Sequence, residues 1–392
     1  MISVAQAQKI VIEKASLLPR TLVPVSKSRQ RYLAEAISAP ISLPPFRQSA
    51  MDGYAFIYEE GITSLTLAGK VQAGATKVPQ LKKGEAIRIF TGAPVPDAAN
   101  TVIIQEHTQF EDQILHLQKL PAKGANIRPV GEQVTEGVKV LEQGHAINEA
   151  SIGFLAGLGI TEVSVYSLPK VAVLMTGDEL QEPGTPLEPN QIYESNGIML
   201  KNALARLGII EVTLVKAKDT FKETKNSIAQ ALETHDVLLV SGGISVGDYD
   251  FVQEALKANS VTEHFYKVNQ KPGKPLWFGT KDSKSVFGLP GNPASSLTAF
   301  YVYVLPHLRA RMGSLSPFLP TRKARLTEAV KNPFGKTLFL KARVTDETIT
   351  PYTGQASSML NTYALSNALL VVEEDQEMLE KGQQVGYIDL NF

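Results

Sequence analysis

Asp236-Val-Leu-Leu-Val-Ser-Gly-Gly-Ile-Ser-Val-Gly-Asp-Tyr-Asp250 runs from an unbroken apolar stretch into a glycine-rich turn, and helical periodicity resumes over Tyr249–Lys257. An apolar run without alternation is what a strand covered on both faces requires. The same rhythm surrounds it: Val171–Met175, Val212–Lys216 and Val286–Gly288 read as strands, Gly197–Leu207 and Lys222–Leu232 as helices. The spacing predicts an αβα layered domain over 169–312 with a largely parallel sheet, taking ligands at the carboxyl ends of its strands.

Outward from this domain the pattern changes. Val4, Ala7, Val11, Ala15 and Leu18 fall at helical spacing, as does Ser28–Ile37, so 1–39 is expected to hold two amphipathic helices separated by Pro19 and Pro24. Short runs punctuated by Gly and Pro make 40–144 β-rich. A helix over Ala150–Leu158, capped at Gly159, and a strand over Val163–Tyr166 fill 145–168 and complete an N-terminal composite region, 1–168. Beyond it, 313–392 reads as a small β domain with strands at Arg322–Leu326, Thr337–Val344, Ala368–Val372 and Gln384–Ile388. At roughly 150 residues per domain, 392 residues fit this multidomain α/β plus β reading.

Composition narrows the function classes. The 39 Lys and Arg cancel the 39 Asp and Glu, which argues against a nucleic-acid surface or a polybasic membrane foot. No cysteine is present, so thiolate nucleophiles and Cys-held metals are excluded. The six histidines form no HExxH or HxxxH pair. Leu297–Leu305, the longest mostly apolar stretch, is too short to cross a bilayer, and with no leader pattern the expected compartment is the cytoplasm.

Four segments carry possible chemistry. Bare amides at Gly242, Gly243 and Gly247, with hydroxyls on Ser241 and Ser245, can surround a phosphate, although the turn is neither GxGxxG nor Walker A. Leu289-Pro-Gly-Asn-Pro-Ala-Ser-Ser296 opens a helix with Asn292 suited to the N-cap and Pro293 to the first turn, an anion-attracting terminus. Lys267-Val-Asn-Gln-Lys271-Pro-Gly-Lys274-Pro holds three cations on a proline-stiffened loop. Asp178 and Glu179, Asp219, and Asp248 with Asp250 each follow a strand, where hard oxygen ligands suit Mg²⁺. Singly, each has a plain structural explanation as a turn, a cap or a solvated charge. Their shared placement after strands is the argument for a site.

Taken with Ser49-Ala-Met-Asp-Gly-Tyr-Ala55, Thr91-Gly-Ala-Pro94, Gly124-Ala-Asn-Ile-Arg128 and Thr176-Gly-Asp-Glu-Leu180, these segments resemble the molybdopterin molybdenumtransferase family, to which the enzymatic domain of gephyrin also belongs. The likeness runs over nearly the full length. It implies a cytoplasmic homodimer that inserts molybdate into adenylylated molybdopterin in a Mg²⁺-dependent step, releasing AMP and yielding molybdenum cofactor. A dithiolene on the pterin would hold the molybdenum, which suits a chain without cysteine.

The resemblance also implies roles. Glu179, Asp219 and Asp250 match acidic positions near the metal and the reacting centre. Ser241, Gly242, Gly243, Ser245 and Gly247 match the loop receiving the nucleotide–pterin, and Pro290, Gly291, Asn292 and Pro293 shape the pocket. Lys267, Lys271 and Lys274 would neutralise molybdate and phosphates. Asp52 and Thr91, with Arg128, match positions that approach the cleft from the partner subunit, so the active site is expected to be composite. Ser357 matches a functional serine of the C-terminal β domain. Gly131-Glu-Gln133 departs from the family's Gly-Glu-Asp and removes one partner-side carboxylate. A molybdopterin adenylyltransferase is a candidate partner. A non-catalytic molybdopterin-binding or assembly module, a tungstate-using homologue, and a generic nucleotide hydrolase that leaves SAMDGYA and GLPGNP unused are the alternatives.

Overall fold

The computed structural model of the chain describes residues 1–244 and 251–391; Ser245, Gly247, Asp248 and Asp250 lie outside them. Val237–Ser241 is a central strand, parallel to Val171–Thr176 on one side and to Lys284–Leu289 on the other. Val212–Ala217 adds a fourth parallel strand beyond Val171–Thr176. Trp277–Lys281 and Thr262–Tyr266 extend the opposite edge antiparallel, so the six-stranded sheet is parallel over four strands and antiparallel at one margin.

Burial explains the apolar runs. All residues of Val171–Thr176 and Val237–Ser241 are buried, because helices cover both faces. Asn196–Ala205, Val4–Glu13 and the chain from Pro293 to Arg311 pack on one face, Phe221–Thr234 and Val252–Ala258 on the other. The parallel strands end at Thr176, Ala217, Ser241 and Leu289 along one edge, so the turns that follow them converge there.

The helix after the GLPGNP turn is interrupted. Pro293–Ala299 and Leu305–Arg311 are α-helical, with a π turn at Phe300–Val304 between them. Pro306 has no N–H to give to the carbonyl of Val302, and Gln8 Nε2 approaches that oxygen at 3.5 Å instead. The C-terminal turn pins the N-terminal helix: Arg311 donates to the carbonyls of Ser16, Asp236 and Ser283, and His307 bonds Val11 O and Ser285 Oγ.

The N-terminal region corrects one expectation. Val4–Glu13 is a helix with a Ser3/Gln6 capping box, but Ser28–Ile37 is not helical. Leu33 N donates to His145 O and Ala34 N to Ser164 O, and Gln30 has φ +64, so non-local pairing overrides the apolar spacing. The segment between Pro19 and Pro24 is itself a strand, Arg20–Pro24, paired with Glu162–Tyr166. The β-rich reading of the next hundred residues is seen as a six-stranded sheet running from Thr101–Ile104 to Thr108–Glu111.

In the C-terminal region Thr337–Thr345 pairs with both Thr348–Pro351 and Ala368–Val372, closing a five-strand ring through Thr321–Leu326 and Gln384–Asp389. Gln270–Lys271 joins the outside of this ring, parallel to Thr337 and Leu338. The lysine-rich loop is therefore tied to two domains.

Candidate functional site

The carboxyl edge of the sheet holds a cavity of about 680 Å³. Thr176, Glu179, Asp219, Ser241, Gly242 and Gly243 line it from the strand ends, Glu194 and Asn196 from the start of a helix, and Pro290, Gly291, Asn292 and Pro293 from the GLPGNP turn. Its charged lining residues among the described ones are all acidic: Glu179, Glu194 and Asp219. Asp178 and Asp219 brace each other, Asp178 N donating to Asp219 Oδ2 at 3.2 Å and Asp219 N to Asp178 Oδ1 at 3.4 Å. Glu194 Oε1 accepts from Gly197 N at 2.7 Å, and Glu179 O accepts from Ile192 N.

Asn196 stitches the two glycine turns together. Its Nδ2 donates to Ser241 Oγ at 2.9 Å and to Gly291 O at 2.7 Å. A carbonyl only accepts, so the amide orientation is determined and Oδ1 faces away without a partner among the described residues. Thr176 Oγ1, also buried and lining the cavity, likewise has none there. Both are buried polar atoms of residues that line the cavity, and the Thr176 hydroxyl lies against the Gly242–Gly243 turn. Gly242 is needed for shape: at φ +97, a Cβ would lie 2.8 Å from Thr176 O.

A second hollow, about 530 Å³, lies between the lysine-rich loop and the C-terminal ring, lined by Lys271, Lys274, Lys336, Gln355 and Ser357 among others. Lys271 Nζ lies 3.7 Å from the Phe334 ring centroid, whose face favours a cation. Lys267 lines neither hollow; its Nζ sits 4.7 Å over the Tyr266 ring. The structure thus separates the charges that the sequence placed at one edge. Acids line one hollow, and two of the three loop lysines line the other.

A thin wall divides them. Ser358 and Pro275 face the acidic cavity while Ser357 and Lys274 face the cationic one. Asn292 occupies the N-cap position with Pro293 in the first turn, as its sequence predicts, yet its side chain does not cap. Asn292 Nδ2 donates to Ser357 Oγ at 3.0 Å, and Ser357 O accepts from Ala294 N at 3.1 Å and Ser295 N at 3.3 Å. The helix amides expected to attract an anion are therefore occupied by the Ser357 carbonyl.

Two lysines escaped the sequence reading. Lys336 sits after a turn glycine and carries no pattern. Lys341, buried inside the Thr337–Thr345 strand, donates to Ala356 O at 3.1 Å and Met359 O at 3.0 Å and so shapes the Ser357 loop; burial lowers its pKa. A lysine at an inward position of an apolar strand was the available signal.

Asp52, Thr91 and Arg128 line neither hollow. Asp52 Oδ1 accepts from Thr91 N at 2.7 Å and Thr91 Oγ1 at 2.8 Å; those bonds, with the charge of Arg88, hold the carboxyl below its usual range. Arg128 faces Glu132 at 4.0 Å on the surface. Among the described residues no group of three or more potential ligands gathers for a metal. Mg²⁺ commonly takes only one or two carboxylates and keeps its waters, so the pair Glu179 and Asp219 on one cavity wall fits that ion.

An αβα layer with a ligand cleft at its strand ends, set between a β-rich N-terminal region and a closed C-terminal ring, defines a multidomain α/β ligand-binding protein. Family models match in the same order along the chain: the MoeA N-terminal region (domain I and II) at 2–159, a probable molybdopterin binding domain at 172–310, and the MoeA C-terminal region (domain IV) at 323–390. The chain is 35% identical over 404 residues to "Molybdopterin molybdenumtransferase 2" of Mycobacterium tuberculosis, covering 100% of both. It is 35% identical over 396 residues to the molybdopterin molybdenumtransferase of Haemophilus influenzae, covering 98% of each. The crystal structure of the molybdopterin biosynthesis moeA protein from Pyrococcus horikoshii superposes with a TM-score of 0.86 at 28% identity, covering 99% of this chain and 100% of that one. The chain belongs to the molybdopterin molybdenumtransferase family.

Proposed function

We infer that this protein is a transferase of molybdenum cofactor biosynthesis that inserts molybdate into adenylylated molybdopterin and releases AMP. The observation that carries this reading is the pairing of an acidic cavity and a lysine-lined hollow across one wall of Asn292, Ser357 and Ser358. Two oxyanions must meet for this reaction. Two dianions about 5 Å apart repel by about 3 kcal/mol in bulk water and by about 13 at an effective dielectric near 20. One ammonium about 4 Å from a dianion returns about 8 kcal/mol on the same scale, so Lys271 and Lys274 together outweigh the repulsion.

In this reading Lys271 and Lys274 bind and orient molybdate. The turns at Ser241–Gly243 and Pro290–Pro293, tied together by Asn196, seat the nucleotide–pterin. Glu179 and Asp219 would hold Mg²⁺, which supplies polarisation of the phosphoanhydride when bound. Without a cation, those same carboxylates repel phosphate, which ties activity to a divalent ion. Asp52, Thr91 and Arg128 would enter from a second copy in a homodimer, a reading supported by their standing outside both hollows of their own chain. The cytoplasm is the proposed compartment; among the described residues no helix is long and apolar enough to cross a membrane. A molybdopterin adenylyltransferase would supply the substrate.

The test is nucleotide release by purified protein given adenylylated molybdopterin, Mg²⁺ and molybdate. Molybdate-stimulated AMP release is expected, and Lys271→Ala should raise the molybdate KM about tenfold, the loss of one charge-assisted contact. Stoichiometric substrate binding without molybdate-stimulated release would instead indicate a non-catalytic assembly module, and a preference for tungstate in competition would change the metal but not the mechanism.

A further inference from the structure

The lysine-rich loop is held from beneath by one buried side chain. Gln270 is 1% exposed, and its Nε2 donates to Pro272 O at 3.2 Å and Gly273 O at 3.0 Å. Both acceptors are carbonyls, so Nε2 must face them and Oε1 must face the other way. There it accepts from the hydroxyl of Tyr303, itself fully buried. Burial pushes the Tyr303 pKa upward, so this hydroxyl remains a donor across the ordinary pH range.

An apolar residue at 270 would leave Pro272 O, Gly273 O and the Tyr303 hydroxyl without these bonds. The chain instead keeps an amide that works only because Tyr303 completes it. Tyr303 belongs to the π turn Phe300–Val304, a distortion that often marks functional positions. Ladder pairing to Thr337 and Leu338 secures Gln270 and Lys271 as a strand, but not the turn that follows, where Gly273 stands at φ +79. Backbone bonds from Val268 N and Leu276 N hold the Lys274 carbonyl, and the Gln270 amide grips the Pro272 and Gly273 carbonyls between Lys271 and Lys274.

We propose that Gln270, keyed by the Tyr303 hydroxyl, is a positioning residue that holds the Pro272–Gly273 turn so that Lys271 and Lys274 present their ammonium groups to the oxyanion. Gln270 borders the hollow, but its amide is turned to Pro272 O, Gly273 O and the Tyr303 hydroxyl, so it acts through the lysines rather than on the oxyanion. The proposal rests on reading the lysine-lined hollow as the molybdate site, and the experiment separates the two.

AMP release by the full-length protein is measured against molybdate concentration for the wild type, Gln270→Leu, Tyr303→Phe, Lys271→Ala and Leu308→Ala, with a melting temperature for each. Gln270→Leu is expected to raise the molybdate KM about tenfold and Tyr303→Phe about threefold, with kcat at saturating molybdate held within about twofold, the pattern of lost uniform binding. Leu308, buried on the continuation of the same helix, reports destabilisation alone: Leu308→Ala should lower the melting temperature and leave KM unchanged. If Gln270→Leu does not fold, Tyr303→Phe, which removes a single oxygen, carries the test. A raised KM in Lys271→Ala with unchanged KM in both relay variants overturns the positioning role alone, as does a KM rise in Leu308→Ala matching theirs. An unchanged KM in Lys271→Ala overturns the oxyanion reading of the hollow, and the positioning role with it.

Discussion

His307 shows what burial does to a single titratable side chain. It lies wholly inside, edge-on to Phe278 and Phe287, with both ring nitrogens bonded. Desolvation is the main cause that pushes its pKa down to about 3, partly opposed by the bond to Val11 O and assisted by the charge of Arg311. The unfolded chain takes up this proton near the ordinary histidine pKa of about 6.5 while the folded chain refuses it, so stability falls as pH drops from there towards 3. At pH 5 the loss from this one group is about 2 kcal/mol. Urea unfolding at pH 7 and pH 5 should therefore show a steeper pH dependence in the wild type than in His307→Gln; equal slopes would exclude the role. In the sequence His307 is one of six histidines that form no HExxH or HxxxH pair. Its link to the N-terminal helix depends on Val11, 296 residues away, and was not legible there.

Among the elements, the strand and turn around Gly242 are the most legible in the sequence and the most tightly constrained. Val237–Ser241 is apolar throughout because neighbours cover both faces, and its turn must pass within contact of Thr176. Gly242→Ala combines a positive φ with a Cβ 2.8 Å from a carbonyl oxygen, and should destabilise the αβα domain by about 3 kcal/mol. An unchanged urea midpoint would falsify that account of the turn. The GLPGNP element was legible as a cap but not in its partner. Asn292 and Pro293 announce a helix start, whereas the carbonyl that occupies the helix amides comes from Ser357, in another domain. Ser28–Ile37 failed for the opposite reason. Its apolar spacing suits a helix, but the free carbonyls of His145 and Ser164 offer its backbone better partners.

At the scale of the molecule, the acidic and cationic hollows are lined by many separate stretches of chain and share one wall, while Asp52, Thr91 and Arg128 line neither. If a second copy completes the site, Asp52→Ala and Glu179→Ala proteins, each inactive alone, should recover about a quarter of wild-type activity when mixed and allowed to exchange subunits. Half the dimers would then be mixed, and each would carry one intact site. If one chain supplied every group, no mixture could restore a site, so a flat zero after verified exchange rejects the composite arrangement.

The sequence by itself determined the layered α/β domain, its flanking β regions, the turns that follow its strands and the family likeness, because these depend on local periodicity, on residues with special backbone freedom and on motif order. Only the tertiary structure decided that acids and lysines occupy two hollows rather than one, that Lys336 and Lys341 join the site, and that Gln270 leans on Tyr303. Each of those facts lies outside the pattern of any single segment: Lys341 reaches backbone carbonyls 15 and 18 residues on, and Gln270 a hydroxyl 33 residues away. No spacing within a single segment records what will be folded against it.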